Sequence, residues 1–220
     1  GMSELRVRNG ILGPLLAGSR TERFRLIHGI LHRSRISIAA ITAGACARMA
    51  DDVAGHVRQR RVFGKALAEF GQARVRAAEV ESAREIAAVL EHVAGVEIEA
   101  AEAESRDVDG LAANIVKVVA TDLAFAAATS ASQLLGGESY RVDTYIGRAT
   151  ADLRPFRIFE GSNDVLCDAI WQATEKAGRT GGESFEQVVT ESCARAGLPH
   201  PATAPFKLRG PDGAAPQGLR

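Results

Sequence analysis

No proline occurs between Pro14 and Pro155. Proline inside a helix removes a hydrogen bond and clashes with the preceding turn, so this gap leaves room for long unbroken helices. Aromatic residues make up only 5% of the chain while alanine is abundant. That balance argues against a sandwich or barrel, whose strands favour aromatic and β-branched residues. The three cysteines, Cys46, Cys167 and Cys193, are odd in number, far apart and without a CxxC pair. A disulfide framework is excluded, and a reducing compartment, the cytoplasm, is expected. No run reaches the roughly 18 uncharged apolar residues of a membrane span, so no membrane attachment is expected. The opening MSELRVRNG is charged and no long apolar region follows it, so no secretory leader is expected. Internal repeats and period-2 strand patterns of useful length are also missing.

The 220 residues are 46% hydrophobic and 25% charged, enough for one sizeable core without staples. Formal net charge is zero but unevenly spread: Gly1–Lys65 holds 12 basic and 4 acidic residues, and Ala66–Gly110 holds 4 basic and 11 acidic. A basic first third could meet phosphates on a nucleic acid or a cofactor. The simpler expectation is two helices with complementary faces. No helix-turn-helix pattern accompanies the basic segment, so no nucleic-acid partner is expected.

Apolar spacing near 3.6 predicts a long helix over 21–61 carrying Phe24, Ile27, Leu31, Ile38, Ile41, Ala45, Met49, Val53 and Val57 on one stripe, with Ser19 or Thr21 as its cap. VFGKALAEFGQ breaks the pattern. A second helix is expected over 69–95, then a solvent-facing stretch with a loop over 96–110. A third helix over 111–135 carries Ile115, Val118, Val119, Leu123, Ala126 and Leu134 and ends at Gly136-Gly137. A short helix or turn near 143–152, an interruption at Pro155 and a last bundle helix over 162–176 follow. The organisation expected is an irregular segment over 1–19, an all-α antiparallel four-helix bundle over 20–177, and over 178–220 a short helix at Glu183–Ala196 with a Pro/Gly-rich tail.

Four constellations could carry chemistry. HGILH places His28 and His32 one turn apart, but no third ligand completes a metal set, and no metal is expected. QRRVFGK gathers Arg60, Arg61 and Lys65 at a helix end, either an anion site or cations favoured by the helix dipole. QLLGGES offers the Gln133 amide beside two glycines, either a helix cap or a place of close ligand approach. FRIFEGSND sets Glu160 between Phe159 and a helix start. A carboxylate flanked by Ile158 and Phe159 is expected to be partly withdrawn from water, a setting that suits a general base. Ser162 can cap the next helix, whose N–H groups can hold phosphate.

Taken in order, RRVFGKALAEF, QLLGGESY and DLRPFRIFEGSND resemble the C-terminal helical domain of flavin-dependent acyl-CoA dehydrogenases, with the last motif most similar to the very-long-chain branch. The resemblance covers about 21–176 and omits the family's N-terminal helical and middle β-domains. It implies that Glu160 removes the α-proton of an acyl-CoA while a β-hydride moves to FAD. It places Arg60 and Phe63 against the flavin of a neighbouring subunit, Gln133, Gly136 and Gly137 on the dinucleotide, and Ser162 and Asp164 at the diphosphate. Arg35 and Gly161 fall among the substrate contacts. Some relatives carry the base on an earlier helix, where this sequence has Ser34, which cannot serve. The partners implied are acyl-CoA, an electron-transferring flavoprotein, and a homodimer, homotetramer or separate chain supplying the remaining domains. The alternative is a non-catalytic oligomerisation or nucleotide-binding module derived from the same family.

Overall fold

The computed structural model describes residues 19–181 and Ala194. The irregular segment expected before Ser19, the helix expected over Glu183–Ala196, apart from Ala194, and the Pro/Gly-rich tail lie outside the described residues. By compactness the chain divides into Gly1–Ile170 and Trp171–Arg220.

Helix α1, Arg20–Gln59, runs for 40 residues and opens with a reciprocal cap. Ser19 Oγ accepts from the Glu22 amide at 3.2 Å, and Glu22 Oε2 accepts from the Ser19 amide at 2.7 Å. Such a cap contributes about 1 kcal/mol. A two-residue hairpin follows, β1 Arg61–Val62 paired antiparallel with β2 Lys65–Ala66. Its turn residues Phe63 and Gly64 both have positive φ, 49° and 79°, the requirement of a type I′ turn. A 3-10 turn, Leu67–Glu69, leads into α2, Gly71–Ala103. Asp109 caps α3, Gly110–Leu135, by accepting from the Leu111 and Ala112 amides. The 3-10 turn Gly136–Tyr140, α4 Tyr145–Leu153, the 3-10 turn Arg154–Arg157 and α5 Asn163–Gly181 complete the order.

Ion pairs fix the directions of the first two helices. Arg33 meets Glu102 at 3.1 Å and Arg84 meets Asp51 at 3.0 Å, so α1 and α2 are antiparallel. These pairs join the basic and acidic faces anticipated from the sequence. Both are solvent-exposed and add only a few tenths of a kcal/mol each. Helix α3 runs beside α1 in the same direction, with Asn114 against Arg35 and Leu135 near Arg60.

The core is built from small side chains. Met49, Val53, Val57 and Val80 are buried together with Ala83, Ala87, Ala124, Ala127, Ala128 and Ala131, and alanine at these contacts lets helix backbones approach closely. Helix α3 is the most apolar segment. Among the described residues it is, by length and composition, long and apolar enough to cross a membrane, and half of its apolar window is buried against the other helices. Packing at the centre of the bundle accounts for that composition.

Three sequence expectations change. Helix α2 continues to Ala103 instead of ending at Gly95, because Ala94, Ile98 and Ala101 follow one another on its inner face and pack with Ile36, Ala39 and Val116. The α3 stripe is rotated: Ile115, Val119 and Ala126 face outward, while alanines and Lys117 face inward. On α1, Phe24, Ile27 and Ile41 are exposed. In the second unit α5 ends at Gly181, and Trp171 is exposed.

Candidate active site

Pro155, anticipated as an interruption, stands near the start of the turn Arg154–Arg157, where its missing N–H costs nothing. Its carbonyl accepts from the Ile158 and Phe159 amides at 2.9 and 3.0 Å. The guanidinium of Arg157 bonds Asp122 on α3 and lies 5.1 Å from the Phe125 ring centroid. The chain then turns sharply at two residues of positive φ, Glu160 at 59° and Gly161 at 96°. For glutamate this left-handed conformation costs roughly 1–2 kcal/mol.

Two buried cations grip the turn. Arg35, 7% exposed, donates through Nε to the Glu160 carbonyl at 2.8 Å and through Nη1 to Asn114 Oδ1 at 2.7 Å. Lys117, with no exposed surface, donates through Nζ to the Gly161 carbonyl at 2.8 Å and to Asn163 Oδ1 at 2.7 Å. Asn163 Nδ2 donates in turn to Thr121 Oγ1 at 3.0 Å and Asp122 Oδ1 at 2.9 Å. A Cβ added at Gly161 would stand 3.2 Å from Leu166 Cδ2 and 3.3 Å from an Arg35 nitrogen, so this position needs glycine for space as well as for φ. Burial, with Arg35 adding to it, pushes the Lys117 ammonium down to about 8. Burial also lowers Arg35, opposed by the nearby Glu160 charge.

Glu160 Oε2 is buried and, among the described residues, accepts no hydrogen bond. Buried polar atoms without a partner are uncommon in folded proteins, and a free carboxylate oxygen is competent to receive a proton. Of its expected apolar flanks, Ile158 is 57% exposed, while Phe159 is more than half covered and packs on the Phe156 ring at 5.0 Å between centroids. Ser162 caps α5, its Oγ accepting from the Val165 amide at 3.4 Å. Asp164 is exposed in the first turn of α5, where a negative charge complements the helix dipole.

The sequence model of the acyl-CoA dehydrogenase C-terminal domain matches residues 24–174. The chain belongs to the acyl-CoA dehydrogenase family. It is similar to the mitochondrial very long-chain specific acyl-CoA dehydrogenase of Bos taurus, 24% identical over 143 residues, which cover 65% of this chain and 21% of that protein. The short-chain specific acyl-CoA dehydrogenase of Megasphaera elsdenii is 29% identical over 150 residues, covering 68% and 38%. The solved butyryl-CoA dehydrogenase of Megasphaera elsdenii aligns with a TM-score of 0.59 and 26% identity over 71% of this chain and 39% of that one. The chain thus spans less than two fifths of the length of these relatives.

Within this acyl-CoA dehydrogenase domain the anticipated site residues fall into two groups. Glu160, Gly161, Ser162, Asp164 and Arg35 gather around the turn before α5. Arg60 and Phe63 stand at the far end of α1, and Gln133, Gly136 and Gly137 at the end of α3. Arg35 and Arg60 are about 37 Å apart along α1 at 1.5 Å per residue, so one chain presents its two groups to different places. At the far end, Phe63 is 94% exposed. Gln133 and Gly136 line a groove of about 480 Å³ with Thr129, Ser132, Ser139 and Thr150. Arg60 lines a second cavity, of about 730 Å³, with His56, Glu138 and Tyr145. The hydroxyls, amide and glycine backbone of the first groove are donors suited to a dinucleotide's polar groups, whereas the second cavity also carries Asp51, Asp52 and Asp143, whose charges oppose a phosphate.

No group of three or more metal-ligating side chains occurs among the described residues, and the His28 and His32 rings meet edge to face at 5.8 Å between centroids. The His32 ring also packs where a side chain at Gly110 would be. Arg35 spends hydrogen bonds inside the chain, so it bears on anything beside Glu160 through the turn it holds. Sequence reasoning missed Lys117, Asn114, Asn163 and Asp122. The one signal for Lys117 was a cation on an otherwise apolar stretch of α3.

Proposed function

We propose that this chain forms part of a flavin-dependent acyl-CoA dehydrogenase that carries out α,β-dehydrogenation of an acyl-CoA thioester, with Glu160 as the base. The buried Oε2 of Glu160, without a partner on a turn clamped at both carbonyls, carries this reading. Glu160 takes the proton from the substrate α-carbon at that oxygen. The positive charges of Lys117 and Arg35 beneath the turn balance the carboxylate before the transfer, and the fixed turn keeps its aim. Bound FAD would supply the two-electron acceptor for the hydride leaving the β-carbon, with a trans-2-enoyl thioester as product and an electron-transferring flavoprotein as the onward acceptor.

Arg60, Phe63, Gln133, Gly136 and Gly137 would hold the dinucleotide at one end of the bundle, and Ser162 would meet its diphosphate at the other, with the adjacent Asp164 carboxylate opposing that contact. Because one helix separates these groups, a complete site draws on two copies of the bundle, and the remaining family domains come from the same polypeptide or a partner chain. A homodimer or homotetramer in the cytoplasm fits this arrangement. Phe63 supports it further: its ring, 94% exposed among the described residues, is held in a left-handed turn, and strain of that kind clusters at functional positions.

The test is acyl-CoA oxidation by the chain completed with the missing domains, alongside Glu160→Gln. Loss of a positioned base lowers turnover by 10²–10⁴-fold. Turnover unchanged in that variant would refute the assignment. The first measurement is the visible spectrum of the chain incubated with FAD and desalted. Retained flavin shows that copies of the bundle alone build the dinucleotide site; its loss assigns that affinity to the missing domains.

A further inference from the structure

Lys117 is the largest fully buried side chain among the described residues, and the chemistry assigned to Glu160 uses only its background charge. A lysine seldom lies wholly inside a protein, because its ammonium loses hydration that only well-placed acceptors replace. Here the acceptors are the Gly161 carbonyl and Asn163 Oδ1, which bracket Ser162 just beyond Glu160. Thr121, one turn further along α3, bonds the same Asn163 side chain, and Asp122 takes its amide while also holding Arg157. The network therefore ties α3 to the chain on both sides of Glu160: Arg157 three residues before it, and Gly161 and Asn163 just after it.

We infer that Lys117 is the positioning residue for Glu160: its ammonium, anchored between the Gly161 carbonyl and Asn163, holds the left-handed Glu160–Gly161 turn and with it the direction of the Glu160 carboxylate. The alternative, that Lys117 only fills space, leaves its paired acceptors without purpose. Glutamate also has no intrinsic preference for positive φ, so something outside the turn must hold it there. Arg35 grips the Glu160 carbonyl, while Lys117 grips the following carbonyl, and the two together fix both peptide planes. The charged groups facing Lys117 are Arg35 from α1, Asp122 from its own helix, Arg157 from the preceding turn and Glu160 itself. The α2 residues packed at this level, Ala94 and Ala101, carry no charge.

The inference rests on Glu160 being the base, but its test reads the turn directly and needs neither flavin nor turnover. In the Lys117→Met chain, the Glu160 ¹³Cα and ¹³Cβ shifts are expected to lose the pattern of a positive-φ residue and the Ser162 and Asn163 amides to shift or broaden, while the Cα shifts of α1 and α2 stay helical. A left-handed pattern retained at Glu160 overturns the inference, whatever the flavin experiment shows. Should Lys117→Met not fold, the wild-type chain decides. Between pH 6 and pH 10 the Gly161 carbonyl ¹³C shift should follow the Lys117 ¹³Cε shift with a common midpoint. A Gly161 carbonyl indifferent to that titration overturns the inference as well.

Discussion

Raising the pH should stabilise this protein through one lysine. Burial, reinforced by Arg35, pushes Lys117 from 10.5 down to about 8. Between those values the unfolded chain holds a proton at this position that the folded chain has released. Stability rises with pH wherever the unfolded state binds more protons. Below pH 8 both states are protonated and the cost of the buried charge is fully present; above 10.5 both are neutral and it is gone. Each tenfold change in proton affinity is worth about 1.36 kcal/mol, so the gain across the window is on the order of 3 kcal/mol. Other groups work against it: Cys46, pushed up to about 11 by burial, keeps its thiol proton when the unfolded chain loses it, so stability falls as pH passes from 9 towards 11. The Lys117→Met variant carries these other groups unchanged and serves as the subtraction. Urea unfolding followed by helical ellipticity at pH 7, 8, 9, 10 and 11 gives the difference between the two chains. That difference should climb in favour of wild type from about pH 8 and level off above 10.5. A flat difference would refute the burial of a charged Lys117.

Two further outcomes are specific. Phe63→Asn places Asn-Gly in the type I′ turn, relieves a left-handed phenylalanine and removes no packing, so urea unfolding should show a gain of about 0.5–1 kcal/mol while flavin retention weakens. Gly147→Ala puts a Cβ 1.9 Å from the Arg141 carbonyl oxygen. The shift needed breaks the Thr144 cap on α4, for a net loss of about 2–4 kcal/mol that thermal unfolding would reveal; a variant as stable as wild type would contradict the geometry.

The helices were legible because apolar periodicity, an uninterrupted proline-free stretch and local caps such as Ser19 all agree. The end of α2 was not. Its glutamates read as a solvated loop, and only the inner row of Ala94, Ile98 and Ala101 shows that they form the outer face of a continuing helix. The inner side of α3 was misjudged for a related reason. Bulky Ile115 and Val119 draw the eye, yet the tight seam against α1 has room chiefly for alanine. In the site, the cap by Ser162 was legible from local context. Lys117 was not, because the groups that justify its burial lie more than forty residues further along and meet it only once the bundle has formed. The positive φ of Phe63 was hidden too, since Phe-Gly is a poor turn signal beside Asn-Gly.

The length of α1 has a genetic corollary. With the proposed base, Glu160, held at Arg35 in the first half of the helix and Phe63 beyond its C-terminal end, damage to one place leaves the other intact. Where two copies share each site, a chain altered only at Glu160 and a chain altered only at Phe63 are each inactive by themselves. Co-expressed, they pair so that one of the two sites receives an intact base from one copy and an intact ring from the other. Two defective alleles of this single gene would then complement each other, whereas two alleles altered at the same end would not.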